Sequence, residues 1–229
     1  MRRRHAGGAP ARRRKVARVE TAEVLIPEDA SLTELRGIAA GCTACDLHET
    51  GTQTVFGEGP ADARLVVVGE QPGDLEDQTG EPFVGPAGAE LDRGFEAAGI
   101  DRSLVYVTNT VKHFKWSERR GKRRIHEKPN SIEIRSCLPW LHAEVARVEP
   151  DVVLLLGATA GKALLGSGFR VTKQRGEVLE GPDGRPTVAT VHPSSILRSR
   201  SDDQRAEARA AFQADLAVVA AVLAGEEVA

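Results

Sequence analysis

Cysteine is scarce in this chain, with three in 229 residues, and that excludes a disulfide framework as the basis of the fold. No apolar run approaches the roughly 18 residues that a bilayer crossing needs, so a membrane span is excluded too. The N-terminus has arginines but no apolar stretch behind them, which is not the pattern of a secretory signal. No internal repeat is visible. What remains is the expectation of a monomeric, cytoplasmic protein. Its length allows one large domain or two small ones and one substantial core.

Net charge is also low, at −2, but it conceals an asymmetry. Residues 1–18 carry eight Lys or Arg and no acid, and residues 112–128 carry eight more against Glu118 and Glu127. Setting both segments aside leaves 15 basic against 31 acidic residues. An acidic body with two basic segments suits a polyanion docking at one face. Residues 1–21, basic and without periodicity, are expected to form a disordered tail, which either solvates the chain end or aids that docking. Residues 22–229 are expected to form a single domain.

Ser31 to Ala40 reads as a short helix with Ser31 as N-cap and Glu34 at the capping-box position. Four apolar runs read as buried strands: Arg64–Gly69, Ser103–Asn109, Asp151–Leu156 and Thr187–Val191. Helical patterns over Pro86–Gly99, Ser131–Val148, Gly157–Leu165 and Asp202–Leu223 alternate with them, and a long basic loop precedes Ser131. Continuous apolar strands between helices predict an α/β fold with a mostly parallel, four-stranded sheet covered on both faces. Ligands of such sheets bind at the carboxyl ends of the strands. The loops there are Glu70–Gly88, Thr110–Lys128 and His192–Arg198.

The first loop holds four glycines and three prolines, which shape a rigid segment that a ligand can approach closely. Within it, Phe83 either offers a face on which a base stacks or plugs the core below. Asn109, at the next strand end, matches the Watson–Crick edge of uracil or thymine, or else caps a turn. His192 of His192-Pro-Ser-Ser195 is placed to stabilise the negative oxygen of a departing pyrimidine. A serine nucleophile there lacks the strand–elbow–helix setting. Gly157-Ala-Thr-Ala-Gly-Lys162 is one residue short of a phosphate-binding loop, and Ala163 replaces the metal-holding Ser or Thr.

GEQPG followed by GEPFVGPAG, then VTNTVK and HPSS, stand in that order at three strand ends. Together they resemble the uracil-DNA glycosylases of family 4 over roughly residues 35 to 222. The resemblance implies a three-layer α/β/α sandwich and excision of uracil from DNA. By position, Phe83 would stack on a flipped uracil, Asn109 would read its edge and His192 would hold O2. Gln71, Gly73, Asp74 and Ser194 complete the expected substrate-binding set.

The same resemblance implies a [4Fe–4S] cluster. Cys42, Cys45 and Cys137 match three of the family's four cysteines, and His113 stands at the fourth position. A Cys₃His set also suits zinc. The insertion after His113, with Lys122-Arg-Arg-Ile-His126, resembles the UdgX branch, whose members become covalently fixed to uracil-containing DNA. That resemblance makes His126 the nucleophile toward C1′ of the deoxyribose, Arg124 a support of its loop, and Glu70 the group that orients His126 or handles water. The expected partner is uracil-containing DNA, single-stranded. Two other readings stand beside it: a turnover glycosylase that leaves an abasic site, and a non-catalytic module that only binds uracil-containing DNA.

Overall fold

The computed structural model describes residues 21–119 and 123–226. The expected tail lies, but for its last residue, outside the described residues, as do Arg120 and Lys122 of the second basic segment. Among the described residues no helix is long and apolar enough to cross a membrane.

The central sheet has five strands, one more than the sequence reading expected. Strands β1 (Leu65–Gly69), β2 (Val105–Asn109), β5 (Val152–Leu156) and β7 (Pro186–Thr190) run parallel in the order β2-β1-β5-β7. The fifth, β6 (Val178–Glu180), pairs antiparallel with β7 at the edge. It has three residues and two of them are exposed, so it lacks the apolar run by which the others announce themselves. The expected long basic loop is a second correction. It folds in part as a two-stranded antiparallel ribbon, β3 (Trp116–Arg119) and β4 (Arg123–His126), separate from the main sheet.

Period-2 alternation sends neighbouring strand residues to opposite faces. Leu65 and Val67 join a core with Leu91 and Phe95 of α3 (Pro86–Ala98) and with Phe212, Leu216 and Val219 of α8 (Asp202–Leu223). Val66 and Val68 pack in a second core with Leu141 and Val148 of α4 (Ser131–Val148) and Ala160 of α5 (Gly157–Leu165). Each fully buried side chain of this size contributes about 1.5–3 kcal/mol, so both sheet faces are strongly specified. Helix starts follow local chemistry. Ser31 and Asn130 close capping boxes with Glu34 and Glu133, and Ser201 caps α8. A third apolar cluster gathers α1 (Leu32–Ala39), Cys42, Phe56, Val111, Cys137 and Trp140 beside α4.

Candidate active site

Parallel pairing aligns the carboxyl ends of β1 and β2, with Gly69 opposite Asn109. Glu70 follows β1 directly, Gly157 follows β5, and His192 stands two residues beyond β7. These ends open into a cleft of about 920 Å³ that is also lined by Phe83, His126, Thr159 and Arg198. Gly69 must lack a side chain, because a Cβ there would lie 2.3 Å from Asn109 Oδ1 and 2.7 Å from Phe83 Cζ. A smaller pocket of about 300 Å³ between α3 and α8 is lined by the Glu90–Arg209 ion pair and shares none of these groups.

Asn109 is 2% exposed and its Oδ1 has no hydrogen-bond partner. Buried polar atoms rarely stay unpaired, so an orphan acceptor at a cleft wall marks where a ligand N–H belongs. Phe83 adopts a left-handed φ of +59°, a strained choice for an aromatic residue. Gly88 makes room for that turn, since a Cβ there would lie 1.6 Å from the Phe83 carbonyl oxygen. The Phe83 ring lies near-parallel to His192, with centroids 6.3 Å apart.

His192 caps the short helix α7 (Pro193–Leu197): its Nδ1 accepts the Ser194 backbone N–H at 3.2 Å. The Ser194 hydroxyl lies 2.9 Å from the same nitrogen and accepts from Arg198 Nη1 at 3.0 Å. An accepting Nδ1 leaves the proton of the neutral ring on Nε2. Burial, then the charges of His126 and Arg198, pull the His192 pKa down to about 4, so the ring is a neutral donor near pH 7. Ser194 therefore orients His192.

Nε2 of His126, at the end of β4, lies 3.8 Å from Glu70 Oε1. Glu70 Oε2 accepts from the Thr159 hydroxyl. Desolvation lowers the pKa of the His126 ring, with Glu70 opposing and Arg198 assisting, so the neutral imidazole prevails near pH 7.

Gln71 and Asp74, two of the expected substrate contacts, line the cleft and also hold the ribbon in place. The Gln71 amide donates to the carbonyls of Lys115 (3.2 Å) and Glu127 (3.0 Å) and accepts the Lys115 N–H at 3.2 Å. It clamps the base of the β3–β4 ribbon through main-chain groups alone. The Asp74 carboxylate meets Arg124 Nε at 2.5 Å and accepts from Gln78 at 2.8 Å. Arg124 also pairs with the fully buried Asp77 at 2.5 Å and lies over the Phe114 and Trp116 rings. Gly73 N-caps α2 (Asp74–Thr79) and has Glu76 packed against it.

The basic segment is less cationic than its sequence. Lys112 is 1% exposed and bound to Glu144, with further bonds to Thr108 Oγ1 and the Asn109 carbonyl. Lys115 pairs with Glu133 at 2.9 Å. With Arg124 also neutralised, at least three of the eight cations face partners inside the protein.

Cys42, Cys45 and Cys137 converge in the third apolar cluster. Trp140 Nε1 donates to Cys42 Sγ at 3.3 Å, and the Lys112 N–H donates to Cys137 Sγ at 3.2 Å, which puts His113 one residue from that thiol. The Thr54 hydroxyl donates to the Ala39 carbonyl and so accepts the His113 Nε2–H at 3.0 Å, which leaves Nδ1 unprotonated for a ligand. Three soft thiols and an oriented imidazole are a donor set that fits an iron–sulfur cluster. Among the described residues no three such groups lie close enough to grip a single metal ion.

Sequence reasoning missed Thr159, Arg198 and Asp77. Arg198 stands four residues after Ser194, the spacing that makes two residues neighbours on a helix. Thr159 stands three residues beyond a strand end.

These features define an open-sheet α/β protein whose strand ends form a cleft with two neutral imidazoles, a carboxylate and an unpaired amide oxygen. The chain belongs to the uracil-DNA glycosylase superfamily, whose family model matches residues 56–217. It is 41% identical over 165 residues to the type-4 uracil-DNA glycosylase of Thermotoga maritima, covering 72% of this chain and 82% of that protein. It is 32% identical over 195 residues to the type-4 enzyme of Pyrobaculum aerophilum, covering 82% and 92%. A type-5 uracil-DNA glycosylase of the latter organism matches at 28% identity over 156 residues, covering 60% and 64%.

Proposed function

We propose that this protein excises uracil from DNA, single strands foremost, and is then captured on the deoxyribose through His126. The observation that carries the reading is His126 Nε2, 3.8 Å from Glu70, at the wall of the cleft that holds the unpaired Asn109 Oδ1 and the Nε2–H tautomer of His192.

Uracil must leave the base stack before C1′ can be reached. In the cleft, Asn109 Oδ1 accepts the uracil N3–H and its amide NH₂ donates to O4. Cytosine has no N3–H and offers a donor where O4 would be, so the same amide rejects it. Phe83 supplies a stacking face. The C1′–N1 bond breaks with its electron pair going to N1, and His192 Nε2–H stabilises the charge that gathers on O2. The sugar becomes oxocarbenium-like, and Glu70 favours that positive charge. The neutral His126 imidazole donates a lone pair to C1′ and forms the C–N bond. The proton on its other nitrogen is then lost to solvent or carboxylate, and the uracil anion takes up a proton. A deprotonated N-alkyl imidazole is a poor leaving group, so the adduct persists. A [4Fe–4S] cluster held by Cys42, Cys45, Cys137 and His113 belongs to this reading and, when bound, supplies a structural clasp between the N-terminal segment and α4.

The type-4 relatives favour a second reading, in which water takes the sugar and an abasic site is released. A labelled uracil-containing oligonucleotide mixed with the protein, boiled in SDS and run on a gel separates the two. A slow band that survives boiling and vanishes in His126→Ala supports capture. Alkali-sensitive cleavage at the uracil without that band refutes it.

A further inference from the structure

One buried polar side chain in the cleft has no part in the chemistry above. β1 and β5 are parallel neighbours, with Val68 opposite Leu155, so Glu70 and Gly157 emerge at the same edge. Gly157 takes a left-handed φ of +89°, and a side chain there would meet His192 Cβ at 3.2 Å. That turn starts α5 beside Glu70 and brings Thr159, 5% exposed, onto its carboxylate. The Thr159 hydroxyl donates to Glu70 Oε2, while Oε1 faces His126. A glutamate side chain has three rotatable bonds, and anchoring one oxygen sets the direction of the other.

We propose that Thr159 is the positioning residue that aims Glu70 at His126. The inference rests on the role given above to the Glu70–His126 pair. It also gives a task to the Gly157–Lys162 stretch, whose phosphate-loop likeness has no other use here. Thr159 touches neither sugar nor base; it acts through the carboxylate. Among the described residues, the charged and titratable groups that share the cleft with His126 are Glu70 after β1, Asp74 and Glu76 of α2, His192 and Arg198 at the two ends of α7, and Lys128 beyond β4.

The test uses the full chain with Thr159→Val, which removes the hydroxyl at nearly constant volume, and Thr159→Ser, which keeps it. Adduct formation and uracil release are followed separately in single turnover, and the His126 ring is titrated by NMR. Losing one hydrogen bond to a charged group is worth on the order of tenfold or more, so Thr159→Val forms adduct at least about tenfold more slowly. Its His126 pKa falls further as the carboxylate swings away, and Thr159→Ser restores both. A role confined to packing lowers the melting temperature of the valine variant but leaves the His126 titration in place, which overturns the proposal. Wild-type adduct kinetics in Thr159→Val overturn it as well. If the wild-type protein releases uracil but leaves no boiling-resistant adduct, the covalent reading fails and Thr159 is judged on uracil release. Slow release in the valine variant, rescued by serine, then upholds its role, and unchanged release refutes it.

Discussion

If the proposed capture through His126 holds, Arg124→Ala should separate it from excision, because Arg124 anchors the ribbon that carries His126 and does not line the cleft. Its guanidinium meets Asp74 and Asp77, each at 2.5 Å, and donates to Thr52 Oγ1 at 3.2 Å. The Asp74 carboxylate is half exposed, so that pair is worth less than about 1 kcal/mol. Asp77 is fully buried, and stranding a buried carboxylate costs about 3–5 kcal/mol. Asp77 keeps two bonds from Thr52, to its N–H at 2.8 Å and its hydroxyl at 2.5 Å, which brings the net loss to about 2–3 kcal/mol. If that loss falls on docking of the ribbon, adduct formation drops about thirty- to two-hundredfold, at tenfold per 1.36 kcal/mol. On the same reading uracil release would depend on Glu70, Asn109 and His192, which follow or end strands of the main sheet rather than sit on the ribbon, and should fall much less. Single-turnover reactions on a uracil-containing oligonucleotide, scored for boiling-resistant band and for free uracil, give both rates. Equal loss of the two, or no loss of adduct, refutes the separation. Arg124→Lys keeps the charge but not the fork that spans Asp74 and Asp77, and should rescue only in part.

The proposed capture would need a neutral His126, whose pKa desolvation holds below its ordinary value of about 6.5. Adduct formation should therefore fall on the acid side with a midpoint below about 6.5; a midpoint at or above that ordinary value would contradict the assignment. Lys112→Met strands Glu144, which is 0% exposed, and should cost about 3–5 kcal/mol. At about 2–4 °C per kcal/mol for a chain of this size, the melting temperature falls by roughly 10 °C. Adding Glu144→Gln should recover much of that loss in a thermal melt, because no uncompensated charge then remains inside.

Much of the scaffold was legible because its signals are local. Ser131–Val148 and Asp202–Leu223 have the bounds that apolar periodicity and capping predict. The strand cores of Val-Val-Val, Val-Tyr-Val and Val-Val-Leu-Leu-Leu could be buried only in a covered sheet. The candidate site was legible where chemistry stands at a strand end, as with Glu70, Asn109 and His192. The ribbon was not. Its strands are four residues each and crowded with charge, so alternation of polar and apolar residues never develops. The tasks of Gln71 and Asp74 were hidden for another reason: their partners lie 44 to 56 and 50 residues away, and only tertiary packing reveals them. The charge census misjudged Lys112 because composition does not record burial.

Gln71 grips the ribbon by backbone groups of Lys115 and Glu127, whatever side chains those positions bear. Such a mount tolerates change in what it holds. The stretch between its two jaws is free to vary where its side chains have no partner in the body, but not at Arg124, which bridges Asp74 and the buried Asp77, nor at Trp116, whose ring N–H donates to the Thr50 carbonyl. On the proposed reading, base recognition would fall to the strand ends and the fate of the sugar to the ribbon, so a designer wishing to present a different reactive group to C1′ would begin with the ribbon and keep Arg124 in it.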